Sequence, residues 1–454
     1  MTERAPARPD NRLSFTDQAM FLWLRASGEE PAMQMVWIYE HPIDLDGLRR
    51  FHDRASRSLL GRLRIERSPL PFGRHRWVLA DAPSTLDIAP SARSRAELTD
   101  WADERVQLPI DPEWGPGWHM GVASFTDGST AISVVISHCL VDGMGGLSAL
   151  ADIANGVSAD FSYPAAGSRT RRRAMASDAR ETLQGSREIG RALGAAVKLA
   201  FRRRHDIARS GASRPTPIRA DSADCNVVVP AIAVYVDLGD WDARAKVLGG
   251  ISHSLVAAFA AKLGERMGRQ RADGSVTLLI PTSDRTEDDS RQNAAALANI
   301  SVDPTHLTTD LSAAQVTLRH GLKSAREVPD QPLELLPLVP FIPRRAVKAG
   351  GDLIFGFAAD LPVSCSNLGD IDPAIGRPDG TDAEYVMLRG VDRRITRQSL
   401  ERKRGQLTLV AGRIGGKMSI SIIGYQPTGQ NSKAHLRELA AKTLAEFDLT
   451  GVID

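Results

Sequence analysis

The segment AISVVISHCLVDGMGGLSALADIANG (131–156) carries the residues best placed to do chemistry. A β-branched, apolar run leads into His138, Asp142 and Gly143 follow, and a helix is predicted from about Met144. In this H-x-x-x-D-G pattern an imidazole stands at the edge of a strand-to-helix loop, where it can act as a base near neutral pH. Gly143 is expected to give the turn a backbone conformation closed to other residues. Asp142 can fix the loop by pairing with an arginine elsewhere. The pattern also suits a hydrogen-bonded structural histidine. His138 and Asp142 could equally form half of a metal site, but no HExxH or His/Cys cluster offers the other ligands, so no metal is expected.

Other catalytic signatures are missing. There is no G-x-S-x-G elbow for a serine hydrolase and no G-x-G-x-x-G after a strand for a nicotinamide enzyme. GRIGGKMS (412–419) has Met418 where a phosphate loop needs Ser or Thr, and reads as a hairpin turn. Cys139 could carry an acyl group, but neighbours at a strand end point to opposite sides, so it would not share a site with His138. His253 begins a predicted helix and is expected to face solvent or a cap. The three cysteines, Cys139, Cys225 and Cys365, are too far apart in sequence for a zinc ribbon or a disulfide framework.

The elements that must position these residues are mixed. Helices are predicted at 13–27, 253–268 and 433–447, and strands at 131–137, 232–238 and 275–281, with a strand pair over 406–425. No regular βαβ rhythm joins them, so the expected class is α/β in the α+β sense. The 454 residues allow two or three domains at about 150 residues each. Hydrophobic residues at 42% and charged residues at 25% are ordinary for a globular protein. A net charge of +2 gives no drive toward nucleic acid, and no apolar run approaches the roughly 20 residues of a bilayer span. A cytoplasmic protein with reduced thiols is expected. Composition changes between about 165 and 225, with RTRRR at 169–173 and RRRH at 202–205. The chain is accordingly divided into 1–165, a basic helical crossover at 166–225, and 226–454. Segment 169–204 could be a solvated helical face, a peripheral contact with an anionic membrane, or a contact for the phosphates of coenzyme A or a phosphopantetheine arm.

The His138 segment resembles the HHxxxDG region of the chloramphenicol-acetyltransferase-like superfamily, which includes condensation domains, polyketide-associated acyltransferases and bacterial wax ester synthase/diacylglycerol acyltransferases. The likeness extends along the chain: LPIDPEWGPGWHMGVAS (108–124), GRHRWV (73–78), ISHSLVAAFAAKLGERM (251–267), PTSDRT (281–286), RQNAAALANISVD (291–303) and SNLG (366–369) follow in the family's order. Ser137 stands where the family has its first histidine, and His138 matches the second, the base. The SNLG-D loop differs from the Val-Pro-Gly-Pro type continuation of wax synthases, and the plant DFGWG motif is missing.

The resemblance implies two similar domains, each a mixed sheet flanked by helices, meeting along a tunnel with His138 midway. It implies an acyltransferase that moves an acyl group from acyl-CoA or a carrier-bound phosphopantetheine thioester to an acceptor hydroxyl. His138 would be the general base, Asp142, Gly143 and Arg285 structural supports, and Ser137, Asn293, Ser366 and Asn367 tunnel candidates. No permanently bound cofactor is implied, and an acyl carrier protein is a candidate partner. Two alternatives stand beside it: a trans-acting condensation enzyme and an inactive carrier-binding relative.

Overall fold

The computed structural model describes residues 10–81, 84–157, 163–210, 225–283, 285, 291–327, 333–343 and 361–454. Five strands form the first sheet in the order β11–β1–β6–β5–β4. These are β1 (Glu30–Tyr39), β4 (Leu86–Ile88), β5 (Trp118–Ser124), β6 (Thr130–Ser137) and β11 (Tyr385–Arg393). The second sheet has the order β14–β7–β13–β12–β10–β8–β9. Its strands are β7 (Ala231–Asp237), β8 (Val276–Ser283), β9 (Ala295–Val302), β10 (Val363–Asp370), β12 (Gln406–Ile414), β13 (Lys417–Tyr425) and β14 (Val452–Ile453). A small ribbon pairs β2 (Leu63–Glu66) with β3 (Arg76–Leu79). Both large sheets mix parallel and antiparallel pairs, as the α+β reading expects.

The helices α1 (Phe15–Ser27), α2 (Leu45–Arg57), α3 (Leu59–Arg62), α4 (Leu98–Gln107) and α5 (Gly143–Ala154) surround the first sheet. The crossover contains α6 (Arg171–Gln184) and α7 (Ser186–Ser210), and the second lobe carries α8 (Leu238–Val247), α9 (Ser252–Arg266) and α10 (Ser312–Glu327). The chain ends with α11 (Arg397–Arg402) and α12 (Lys433–Glu446). Two large cores result. Helices α2 and α5 pack on Trp37, Trp118 and Val134 of the first sheet. Helix α9, buried along most of its length, packs on Ile232, Ile420 and Leu409 of the second.

Strand β11 lies late in the chain yet forms an edge of the first sheet, paired along β1 from Glu30↔Arg393 to Ile38↔Tyr385. The two lobes are thereby joined by a strand that a division at 226 assigns wholly to the second. The edge of β11 also leans on the face of the second sheet, where Ser419 Oγ donates to the Val386 carbonyl at 2.6 Å.

GRIGG is a two-residue hairpin turn, with Gly415 and Gly416 at φ 58° and 70° between β12 and β13. Positive φ at both central residues matches the right-handed twist of the flanking strands, so a hairpin accounts for the glycines.

Part of the basic crossover docks on the first lobe. Arg169 pairs with Glu66 at 3.1 Å and with Asp178 at 3.0 Å, and Arg76 pairs with Asp178 at 3.1 Å. The side chains of 202–205 lie outside the described residues. Among the described residues no single helix is long and apolar enough to cross a membrane.

Candidate active site

Strand β6 delivers His138 to the junction of the lobes. Its backbone N–H donates to the Pro31 carbonyl at 3.0 Å, continuing the β1–β6 ladder by one residue. The side chains of Ser137 and His138 consequently leave opposite faces of the strand. Ser137 is 0% exposed, and its hydroxyl donates to Glu30 Oε1 at 3.0 Å. Glu30 is in turn paired with the buried Arg393. Ser137 therefore belongs to a buried polar cluster beneath the strand and does not line a tunnel, contrary to the sequence expectation.

The His138 ring is held from the second lobe. Its Nδ1 lies 3.0 Å from Asn293 Oδ1. Asn293 Nδ2 donates to Asp17 Oδ1 at 2.9 Å and to the His138 carbonyl at 3.2 Å, and the Asn293 backbone N–H donates to the same Asp17 oxygen at 2.9 Å. Both partners of the amide nitrogen are acceptors only, so the amide orientation is unambiguous and its oxygen must face the imidazole. Nδ1 then carries the proton, and Nε2 is left as the basic nitrogen. Asn293, only 4% exposed, stands behind the histidine rather than along the tunnel. The sequence expectation for it is corrected on that point.

Asp17, in the first turn of α1, belongs to none of the motifs quoted from the sequence. It forms a capping box there, with the Ser14 hydroxyl accepting from the Asp17 N–H at 3.0 Å and donating to Asp17 Oδ2 at 2.8 Å. One carboxylate oxygen thus caps α1, and the other orients Asn293. Burial pushes the Asp17 carboxyl pKa up, against the lowering effect of its hydrogen bonds from Asn293 and Ser14. The S-x-x-D cap at 14–17 is a helix-start signal in the sequence; nothing there links it to His138.

Asp142 ties down the other end of the loop. It is the N-cap of α5, accepting from the Gly145 N–H at 2.7 Å through Oδ1. Its Oδ2 accepts from Arg285 Nη2 and from the Ala294 N–H, both at 2.9 Å. Arg285 also reaches the carbonyls of Arg291 and Gln292. Residues 291–294 therefore grip the histidine loop at His138 through Asn293 and at Asp142 through Ala294 and the Gln292 carbonyl, which accepts from the Asp142 N–H at 3.1 Å.

Gly143 does not take a left-handed conformation. A Cβ there would stand 3.3 Å from Leu368 Cδ2, tighter than ordinary contact. The glycine therefore lets the bulged end of β10 approach the start of α5, and the backbone reason expected from the sequence is replaced by a packing one. Cys139 is fully buried among Leu13, Phe21 and Trp77, and burial raises its thiol pKa far above the ordinary value. A buried, protonated thiol is a poor nucleophile. His253 does not face solvent: its Nδ1 lies 3.0 Å from Asn367 Nδ2, and burial lowers its pKa. Asn367, which also accepts from the Gly369 N–H at 3.0 Å, is thus turned toward α9 and not toward His138.

A cleft runs between the sheets beside His138. On β12, Gln406, Thr408 and Val410 are half-buried while Leu407, Leu409 and Ala411 are buried; on β10, Ser364 and Ser366 alternate with buried Val363 and Cys365. Their half-exposed face looks toward the first sheet, because Val410 and Leu368 pack against its core and Gln406 Nε2 donates to Asp392 Oδ2 of β11 at 3.2 Å. Pro31, Met33 and Gly390 are half-buried opposite them. Ser366 alone of the four tunnel candidates lies on this face.

A separate cavity of about 790 Å³ opens between the start of α1 and α7, with Arg12, Arg74, Arg191 and Arg291 on its wall. Arg191 of the crossover thus borders a cavity. Among the described residues no group of three or more His, Cys, Asp or Glu side chains gathers as a metal site.

No family profile matches the sequence, and no curated protein matches it. Solved structures do match the fold over nearly the whole chain. The first condensation domain of the CDA synthetase superposes with a TM-score of 0.56 at 12% identity, covering 98% of this chain and 99% of that one. A wax ester synthase/diacylglycerol acyltransferase from Marinobacter aquaeolei VT8 gives 0.52 at 16%, covering 96% and 98%. Polyketide synthase associated protein 5 from Mycobacterium tuberculosis gives 0.51 at 14%, covering 97% of each. With its sheets joined through a late edge strand and His138 at their junction, the chain shares the two-lobed fold of these solved condensation-domain and acyltransferase structures.

Proposed function

We propose that the protein is an acyltransferase that moves an acyl group from a thioester, acyl-CoA or carrier-bound, to an acceptor hydroxyl, with His138 as general base. The observation that carries this reading is the Asp17–Asn293–His138 chain, which leaves the imidazole with a proton on Nδ1 and a lone pair on Nε2. Nε2 takes the proton of the acceptor hydroxyl as its oxygen attacks the thioester carbonyl carbon. The tetrahedral intermediate collapses with cleavage of the C–S bond, and Nε2–H returns the proton to the leaving thiolate. The acyl group passes directly, with no covalent acyl-enzyme. Backbone N–H groups around Gly143, at the start of α5, are the candidate donors to the oxyanion; the Gly145 N–H is already committed to Asp142.

Proton transfer of this kind contributes ~10²–10⁴-fold. His138→Ala should accordingly lose at least about 10²-fold in thiol release from acyl-CoA with an alcohol acceptor while keeping its melting curve. An active His138→Ala protein would overturn the assignment. The condensation reading uses the same base on an amine acceptor and two carrier-bound substrates. Release of free coenzyme A from acyl-CoA supports the acyl-CoA route, and turnover only with carrier-bound thioesters supports the other. An inactive relative would have no use for a histidine whose tautomer is set by two further side chains.

A further inference from the structure

The wall of the cleft beside His138 carries a polar anchor that the transfer chemistry does not use. Pro31 of β1 accepts the backbone N–H of His138 on one side and stands opposite Asp392 of β11 on the other. Residues directly opposite in neighbouring strands project from the same face of a sheet, so His138 and Asp392 flank Pro31 on one face, two strand spacings or about 10 Å apart at the backbone. The imidazole contributes to the electrostatic environment of the Asp392 carboxyl.

Asp392 as a residue is half-buried, but its carboxyl lies deep. Burial raises its pKa, and the positive charge of Lys403 opposes the shift only in part. Its Oδ2 accepts from Gln406 Nε2 at 3.2 Å, and Lys403 is paired to Glu29. Gln406 Oε1 is buried and, among the described residues, has no hydrogen-bond partner. A buried acceptor without a donor is destabilising, and a bound ligand that donates to it recovers that cost. Thr408 and Ser364, paired across β12 and β10, extend the polar surface. Beyond them Val410, Leu368 and Met33 make the cleft apolar.

We propose that Asp392 and Gln406 anchor the acceptor through a second hydrogen-bond donor, a hydroxyl or an ammonium group a few bonds from the nucleophilic hydroxyl. The acceptor class is then a polyol or an amino alcohol. A plain aliphatic alcohol would leave Gln406 Oε1 without a donor. This rests on the acyltransfer reading for the reaction, and on the cleft geometry alone for binding.

The test uses butanol, glycerol and serinol as probes with one acyl-CoA. Thiol release should be roughly tenfold or more faster with glycerol or serinol than with butanol, and Asp392→Leu should bring the glycerol-to-butanol and serinol-to-butanol rate ratios to about one. Asp392→Asn should slow serinol more than glycerol, because the amide oxygen still accepts from a hydroxyl but no longer compensates an ammonium charge. Gln406→Leu serves as a second variant, and melting curves identify any that fail to fold. Binding is read independently by saturation-transfer NMR on His138→Ala, where Asp392→Leu should abolish the glycerol and serinol signals. Equal or better use of butanol by the parent, or polar-probe binding that ignores Asp392, would overturn the proposal. If no probe releases thiol but polar probes bind through Asp392, the acyltransferase reading fails and the subsite stands.

Discussion

Two carboxylates hold the histidine loop, and they do so differently. Asp142 has a cation: its Oδ2 meets Arg285 at 2.9 Å, and the arginine remains partly open to solvent. Among the described residues Asp17 has none; it is fully buried, and its partners are an amide, a hydroxyl and backbone N–H groups. A charge-paired carboxylate at a helix cap is suited to fastening a loop against its neighbour. An uncompensated buried carboxylate imposes direction, because every hydrogen bond it accepts must be a donor's. The first kind of contact secures where His138 stands, and the second secures which nitrogen is basic.

The comparison can be broken most directly at Asn293. Replacing it with Ala removes the acceptor for Nδ1–H while the backbone N–H of residue 293 still serves Asp17. Turnover should fall by about 10²-fold at unchanged KM, with only a modest loss of stability, since a wrongly held base forfeits most of its contribution. A rise in KM with kcat intact would mean that Asn293 binds substrate instead.

Asp142→Ala should show the opposite balance. It deletes the cap of α5, the Ala294 contact and the arginine's partner together. A destabilisation of about 2–4 kcal/mol in denaturant is expected, from a lost cap and an unpaired guanidinium that solvent partly relieves. If Asp142→Ala keeps the parent's denaturation midpoint and loses only rate, the division between fastening and directing is wrong.

Cys139→Ala should have the smallest effect on catalysis. Its thiol packs among Leu13, Phe21 and Trp77 on the side of the strand away from the cleft. Activity should stay within about twofold of the parent, with a stability loss of about 1 kcal/mol for the small cavity. An inactive, well-folded Cys139→Ala protein would restore the acyl-cysteine route.

Much of this arrangement was legible along the chain. The apolar run at 131–137, the turn around Gly415 and Gly416, and the helix expected at 253–268, which forms as Ser252–Arg266, are local patterns, and their periodicity or turn chemistry decides them without help from distant residues. The pairing of Asp142 with Arg285 followed only from resemblance, because 143 residues separate them. Asp17 was readable as a helix cap and silent as a partner of Asn293, 276 residues away. Ser137 and Asn293 were expected along the tunnel. Their burial depends on which strand face Glu30 occupies and on where residues 291–294 cross the loop.

By itself, then, the sequence determined the strand, the turn and the helix that present His138, since hydrophobic period, capping and paired glycines act within a few residues. Only the tertiary structure decided what the imidazole is bound to and what lies beside it. The transfer of β11 into the first sheet brings Asp392 to the face that carries His138, and the approach of the second lobe brings Asn293 behind the ring. Both depend on contacts between segments hundreds of residues apart, whose free energy is set by packing and hydrogen-bond satisfaction at the junction and leaves no period or spacing in the chain.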